Sequence, residues 1–122
     1  MIGSLMMCVS VVVLLTGMLA GVAMGMQEDF ALQPAHAHLN LVGGVLLFLF
    51  GLYYRLIPAA GANRLAKIQG WLHIVGGILF PIGVAIVILN GPSLIVLPIV
   101  GSLIVVAATA LFAFIVFRTA WD

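Results

Sequence analysis

The chain has 122 residues, 66% of them hydrophobic and 6% charged, with a formal net charge of +1. Soluble domains carry roughly 25% charged residues, so this composition excludes a soluble enzyme, and so small a net charge leaves no electrostatic footprint for nucleic acid. It fits an integral membrane protein with hardly any soluble part.

Four apolar runs repeatedly exceed the ~20 residues that cross a bilayer. In lipid every backbone polar group is paired within the chain, so spans are helices or closed barrels, and these runs lack the alternation of barrel strands. The expected fold is therefore all-α: one domain over residues 1–122, a four-helix bundle with spans at about 3–26, 35–57, 66–89 and 94–117.

The first run has no basic start, has a longer apolar core than a signal peptide and no A-x-A site after it, so it is expected to remain as a transmembrane helix. Cys8 lies inside it as the only cysteine. That rules out an intrachain disulfide and a thiolate cluster within one chain, and Cys8 reads as a small packing residue. Gly17, Gly21 and Gly25 recur at every fourth position, a stripe that lets another helix backbone approach closely; the partner helix could belong to the same chain or to a second subunit. Met24 and Met26 close the run, and Glu28 and Asp29 follow in a loop.

Pro34 opens the second span at a first-turn position, where its missing N–H costs nothing. After it comes His36-Ala37-His38-Leu39-Asn40, holding two of the three histidines in the chain. Gly43, Gly44 and Gly51 thin this span, and Gly70, Gly76, Gly77 and Gly83 thin the third. Arg55, Arg64 and Lys67 surround the middle loop and Arg118 follows the last span, while the loops opposite carry Glu28 and Asp29 and no base. The positive-inside rule then puts both termini and the middle loop in the cytoplasm; a bacterial inner membrane is the expected location, with His36 and His38 near its outer face. Tyr53, Tyr54, Trp71 and Trp121 read as an aromatic belt at the cytoplasmic boundary. Pro81 and Pro98, inside the third and fourth spans, are expected to kink them.

Helical geometry divides the histidines. Residues two apart are rotated by about 200°, so His36 and His38 project to opposite sides; they cannot both bind one metal in a regular helix and can serve two different sites. Measured from the middle loop, His38 lies roughly 28 Å up its helix and His73 roughly 10 Å up the next, so one chain does not bring both to a single iron. At the level of His36 and His38 the other candidate ligands are Met24 and Met26, and a His/Met axial pair suits haem. In a symmetric dimer, the same histidine from two chains could instead meet one haem. No C-x-x-C-H occurs, which excludes covalent c-type attachment.

The stretch His36-Ala37-His38-Leu39-Asn40-Leu41-Val42-Gly43-Gly44, continued by Gly51-Leu52-Tyr53-Tyr54-Arg55-Leu56-Ile57-Pro58, resembles the paired-histidine helix of the catalytic subunit of C-type haem-copper cytochrome c oxidases and bacterial nitric oxide reductases. Trp71-Leu72-His73-Ile74-Val75-Gly76 resembles the start of that subunit's next helix. The A-H-A-H-L-N signature also occurs in small four-span membrane proteins. Over residues 34–90 the resemblance implies that His36 takes the place of the high-spin haem ligand and His38 that of the low-spin haem ligand. The chain departs from the family in lacking further histidines for a copper site, in having Gln69 where the family tends to have a histidine, and in giving His73 no counterpart. Oxygen or nitric oxide reduction is thus not expected of this chain alone.

The leading expectation is a haem b protein, a homo-oligomer in the lipid bilayer, bound through His36, His38 or His73 with Met24 or Met26 as further candidates, for electron transport or diatomic gas binding. Two alternatives stand beside it. One is a copper or zinc site at His36 and His38, and the other is a cofactor-free accessory protein whose histidines hydrogen-bond to Asn40 or to freed carbonyls. The spans hold no buried carboxylate or base that would suggest a transporter.

Overall fold

A computed structural model describes residues 1–121. Four long helices make up nearly all of it: α1 (Ile2–Gln27), α2 (Gln33–Leu56), α3 (Arg64–Asn90) and α4 (Val96–Ala120). A short helical turn at Pro58–Gly61 joins α2 to α3, and a 3₁₀ turn at Pro92–Leu94 joins α3 to α4. All four are long and apolar enough to cross a membrane, so the chain is an all-α, multi-pass membrane bundle.

The helix ends follow local chemistry. Glu28, in the left-handed conformation at φ 51°, closes α1, and Gly91 at φ 84° closes α3. Asn63 caps α3, its side chain accepting from the Leu65 N–H at 3.1 Å, as short polar side chains do at a helix start. Both Pro34 and Pro58 stand in first turns. Pro81 lies within α3, which runs unbroken from Arg64 to Asn90.

Close contacts show that successive helices run antiparallel. Gly3 meets Gly51 near one end of α1 and Gly21 meets His36 near the other. Between α2 and α3, Tyr54 reaches Gln69, Gly43 meets Gly77, and the His38 ring packs edge-on against Phe80 at 4.6 Å. Between α3 and α4, Gln69 reaches the Ala108 carbonyl and Gly83 meets Pro98. Arg55, Arg64, Lys67 and Arg118 therefore share one end of the bundle, with Glu28 and Asp29 at the other.

The core lies toward the basic end. Met6, Leu47, Phe50, Tyr54, Ala66, Ile74 and Ile115 are buried together there, with Phe50 stacked on Phe112 at 3.8 Å. Most of the outer surface is large and apolar, as lipid contact requires. Cys8 is exposed on that surface, which corrects its reading as a packing residue. Tyr54 is 3% exposed and points inward, so the aromatic-belt reading does not apply to it; Trp71 and Trp121 are exposed.

The middle of α2 is not an ordinary α-helix. Residues Leu39–Leu46 form a π-helix between α-helical segments Gln33–His38 and Leu47–Leu56. A wider turn departs from the regular α-helical ladder, and carbonyls there accept from donors on neighbouring helices as well as from their own backbone, as Gly44 does from the Leu47 N–H. Two side chains from neighbouring helices are such donors: Ser10 of α1 donates to the Gly44 carbonyl at 2.8 Å, and His73 of α3 donates through Nε2 to the Val42 carbonyl at 3.0 Å. Both residues are fully buried. Ser10→Ala should lower stability by about 0.6 kcal/mol, the average for an interhelical hydrogen bond in a membrane protein, as measured by unfolding in a denaturing detergent. A change of zero would mean that the Leu47 N–H, which already donates to Gly44, satisfies that carbonyl alone.

Candidate functional site

The paired histidines lie in the first turns of α2, and the structure separates them. His36 turns toward α1, where a Cβ on Gly21 would come within 2.9 Å of its Cε1. His38 turns toward α3, against Phe80. The glycine stripe on α1 is thus largely an intrachain surface. Gly17 receives the Asn40 amide, with Oδ1 only 1.8 Å from where a Cβ would stand, and Gly21 receives the His36 ring, while nothing lies within 4 Å of a Cβ on Gly25.

His36 lines an apolar cleft of about 350 Å³ between α1, α2 and α3. Met24 lines it too, with Ala20, Leu39 and Pro81 among the other walls. Met26 is 82% exposed and does not line this cleft. The Asn40 Nδ2 atom lies 3.2 Å from Nε2 and 3.4 Å from Nδ1 of His36. The in-plane directions of the two ring nitrogens diverge, so one amide nitrogen nearly equidistant from both rests against the ring and occupies neither in-plane position. The Asn40 Oδ1 atom is buried without a hydrogen-bond partner.

His38 has a different environment. Its Nδ1–H donates to the Pro34 carbonyl at 2.7 Å, one turn back on the same helix. A neutral imidazole that donates through one nitrogen keeps a lone pair on the other, so Nε2 is the acceptor. Metal-ligating histidines are usually held this way, with the second nitrogen donating to a carbonyl or carboxylate that fixes ring and tautomer.

His73 is fully buried. Its Nε2–H is committed to Val42, its ring sits edge-on to Phe50 at 5.0 Å, and its Nδ1 has no partner. Phe80, the neighbour of His38, lies seven residues farther along α3, or about 10 Å. Within one chain, then, His38 and His73 serve separate places. Among the described residues no three His, Cys, Asp or Glu side chains come together as a metal-ion cluster.

Gln69, which stands where the resembled family tends to have histidine, holds the core together. It accepts from the Tyr54 hydroxyl at 3.0 Å and donates to the Ala108 carbonyl at 3.2 Å, joining α2, α3 and α4. Ser10 escaped the sequence reading; the available signal was a lone hydroxyl in an otherwise apolar stretch, where such groups cross-link helices.

Fold and geometry define the class of protein: a four-span membrane bundle with two imidazoles displayed on opposite sides of one helix. No protein-family model, curated protein or solved structure matches the chain.

Proposed function

We propose that the chain binds haem b in a homo-oligomer of the bacterial inner membrane, for electron transfer or for binding a diatomic gas, with His38 as axial ligand. The carrying observation is the 2.7 Å hydrogen bond from His38 Nδ1 to the Pro34 carbonyl, which orients the ring and leaves the Nε2 lone pair available. The His36 cleft, at about 350 Å³, is at the small end of the roughly 300–1,000 Å³ range of ligand pockets. It suits the edge of a porphyrin and not the whole ring, and it lies on the side of α2 opposite His38, which faces Phe80, so a haem on His38 would draw its second wall from another copy. In a two-fold dimer, His38 of each copy would hold the haem, while His36 and Met24 would line a second, separate place for a haem edge. Held by these residues, haem would supply one-electron redox chemistry or the binding of a diatomic gas. The basic end faces the cytoplasm under the positive-inside rule.

His38→Ala should abolish the Soret band of the detergent-purified protein, and His36→Ala should reduce it. Sharp α and β bands on dithionite reduction with no response to carbon monoxide would indicate two axial ligands; a carbon monoxide shift would indicate an open position. Unchanged pigment in both variants would refute the assignment.

A second reading has its own support. His73 spans from α3 to a π-helical carbonyl of α2, and His36 lies against Asn40 and Gly21, which are structural roles for two of the three histidines. A colourless protein after expression with ample haem would favour this cofactor-free, accessory reading. Copper or zinc binding at His36 or His38 would need ligands from a second copy, and metal analysis of the colourless protein separates that case.

A further inference from the structure

We propose that the outer face of α3, with α4, binds an anionic phospholipid, its phosphate held at Arg64 and Lys67 and one acyl chain lying toward Val75. A cleft of about 480 Å³ is lined by Arg64 and Lys67 at one end and by Trp71, Leu72, Val75 and Ile104 beyond them. The α3 residues fall three and four apart, on one face of the helix. This face is charged at one end and apolar along the rest, matching an amphiphile in the same order. Its depth matches as well. Arg64 to Val75 is eleven rises, or about 16 Å, close to half of the ~30 Å hydrocarbon core and so to the depth of one leaflet.

The charge pattern selects an anionic headgroup. Lys67 also lines a second cleft of about 360 Å³, together with Arg55, Tyr54 and Gly61. Lys67 thus shares one cleft with Arg64 and the other with Arg55, a concentration of donors that favours phosphate oxygens. Both carboxylates among the described residues, Glu28 and Asp29, lie at the opposite end of the bundle. Basic pockets at the cytoplasmic ends of membrane helices bind acidic headgroups in this way. Close packing of Gly76 on Ile104 and Val105 seats α4 against α3 beside the groove.

Trp71, 55% exposed in the groove, is a built-in reporter once Trp121→Phe leaves it as the only tryptophan. The full chain would be reconstituted with phosphatidylglycerol or phosphatidylcholine carrying identical brominated acyl chains. Phosphatidylglycerol should quench Trp71 at several-fold lower mole fraction. Lys67→Gln and Arg64→Gln should each weaken that preference, by roughly fivefold per cation near the surface. Arg118→Gln, at the same end but lining neither cleft, should leave it unchanged. Equal quenching by the two lipids would overturn the proposal, as would an Arg118→Gln effect equal to that of Lys67→Gln, the mark of general surface charge. Inorganic phosphate at millimolar concentration should not compete. Loss of the preference in its presence would show a free-phosphate site and overturn the lipid assignment.

Discussion

Gly43→Leu should destabilise the bundle more than any other single change considered, by about 3 kcal/mol, the upper part of the usual range for overpacking. A Cβ at Gly43 would stand 2.8 Å from the Gly77 carbonyl oxygen and 3.3 Å from Val13. The first of these neighbours is backbone within α3, which cannot rotate away as a side chain can. The helices must separate, and Val42, adjacent in sequence, is where His73 donates its hydrogen bond. Steric and hydrogen-bond losses therefore fall at one crossing. Detergent unfolding followed by circular dichroism would measure the effect. Gly25→Leu is the matched control: with nothing within 4 Å of its Cβ, it should shift stability by no more than about 0.5 kcal/mol. Equal effects at the two positions would contradict the packing described above.

His73→Leu should cost about 1.5 kcal/mol, near the upper end for an interhelical hydrogen bond in a membrane protein, because it removes a fully buried donor that ties α3 to the Val42 carbonyl. His73→Gln, which keeps an N–H donor, should recover part of that loss. The two variants separate hydrogen bonding from packing, since both remove the ring that lies edge-on to Phe50. With haem on His38, neither variant should change the visible spectrum of the folded fraction. Bleaching by His73→Gln with stability retained would transfer the axial role to His73 and displace the His38 assignment.

Much of the architecture is legible in composition because lipid leaves few choices. An apolar run of bilayer length must satisfy its own backbone, and the helix is the simplest way to do so. The opposed directions of His36 and His38 also follow from helical rotation alone, since that pair precedes the π-helical segment. Beyond it such inference weakens: a π-turn takes up extra residues and shifts the phase of the residues that follow. Tyr54 departs from expectation on another ground. Position and residue type suggested the membrane boundary, yet the structure buries it at 3% exposure with its hydroxyl on Gln69.

The glycine stripe shows the same division. Gly17, Gly21 and Gly25 are equivalent by spacing, but the first receives an asparagine amide, the second an imidazole and the third nothing. Which partner each meets depends on how α1 crosses α2, a long-range relation that periodicity within α1 does not contain.

By itself the sequence determined a membrane-embedded, all-helical chain with its bases gathered around the middle connection and near the C-terminus, because hydrophobic length and charge act locally and lipid permits few alternatives. Only the tertiary structure decided that His73 and Ser10 serve π-helical carbonyls, that Gln69 joins three helices, and that His38 keeps an uncommitted ring nitrogen. Each of these depends on which donor lies opposite which carbonyl, and that is set by the axial register and crossing of packed helices.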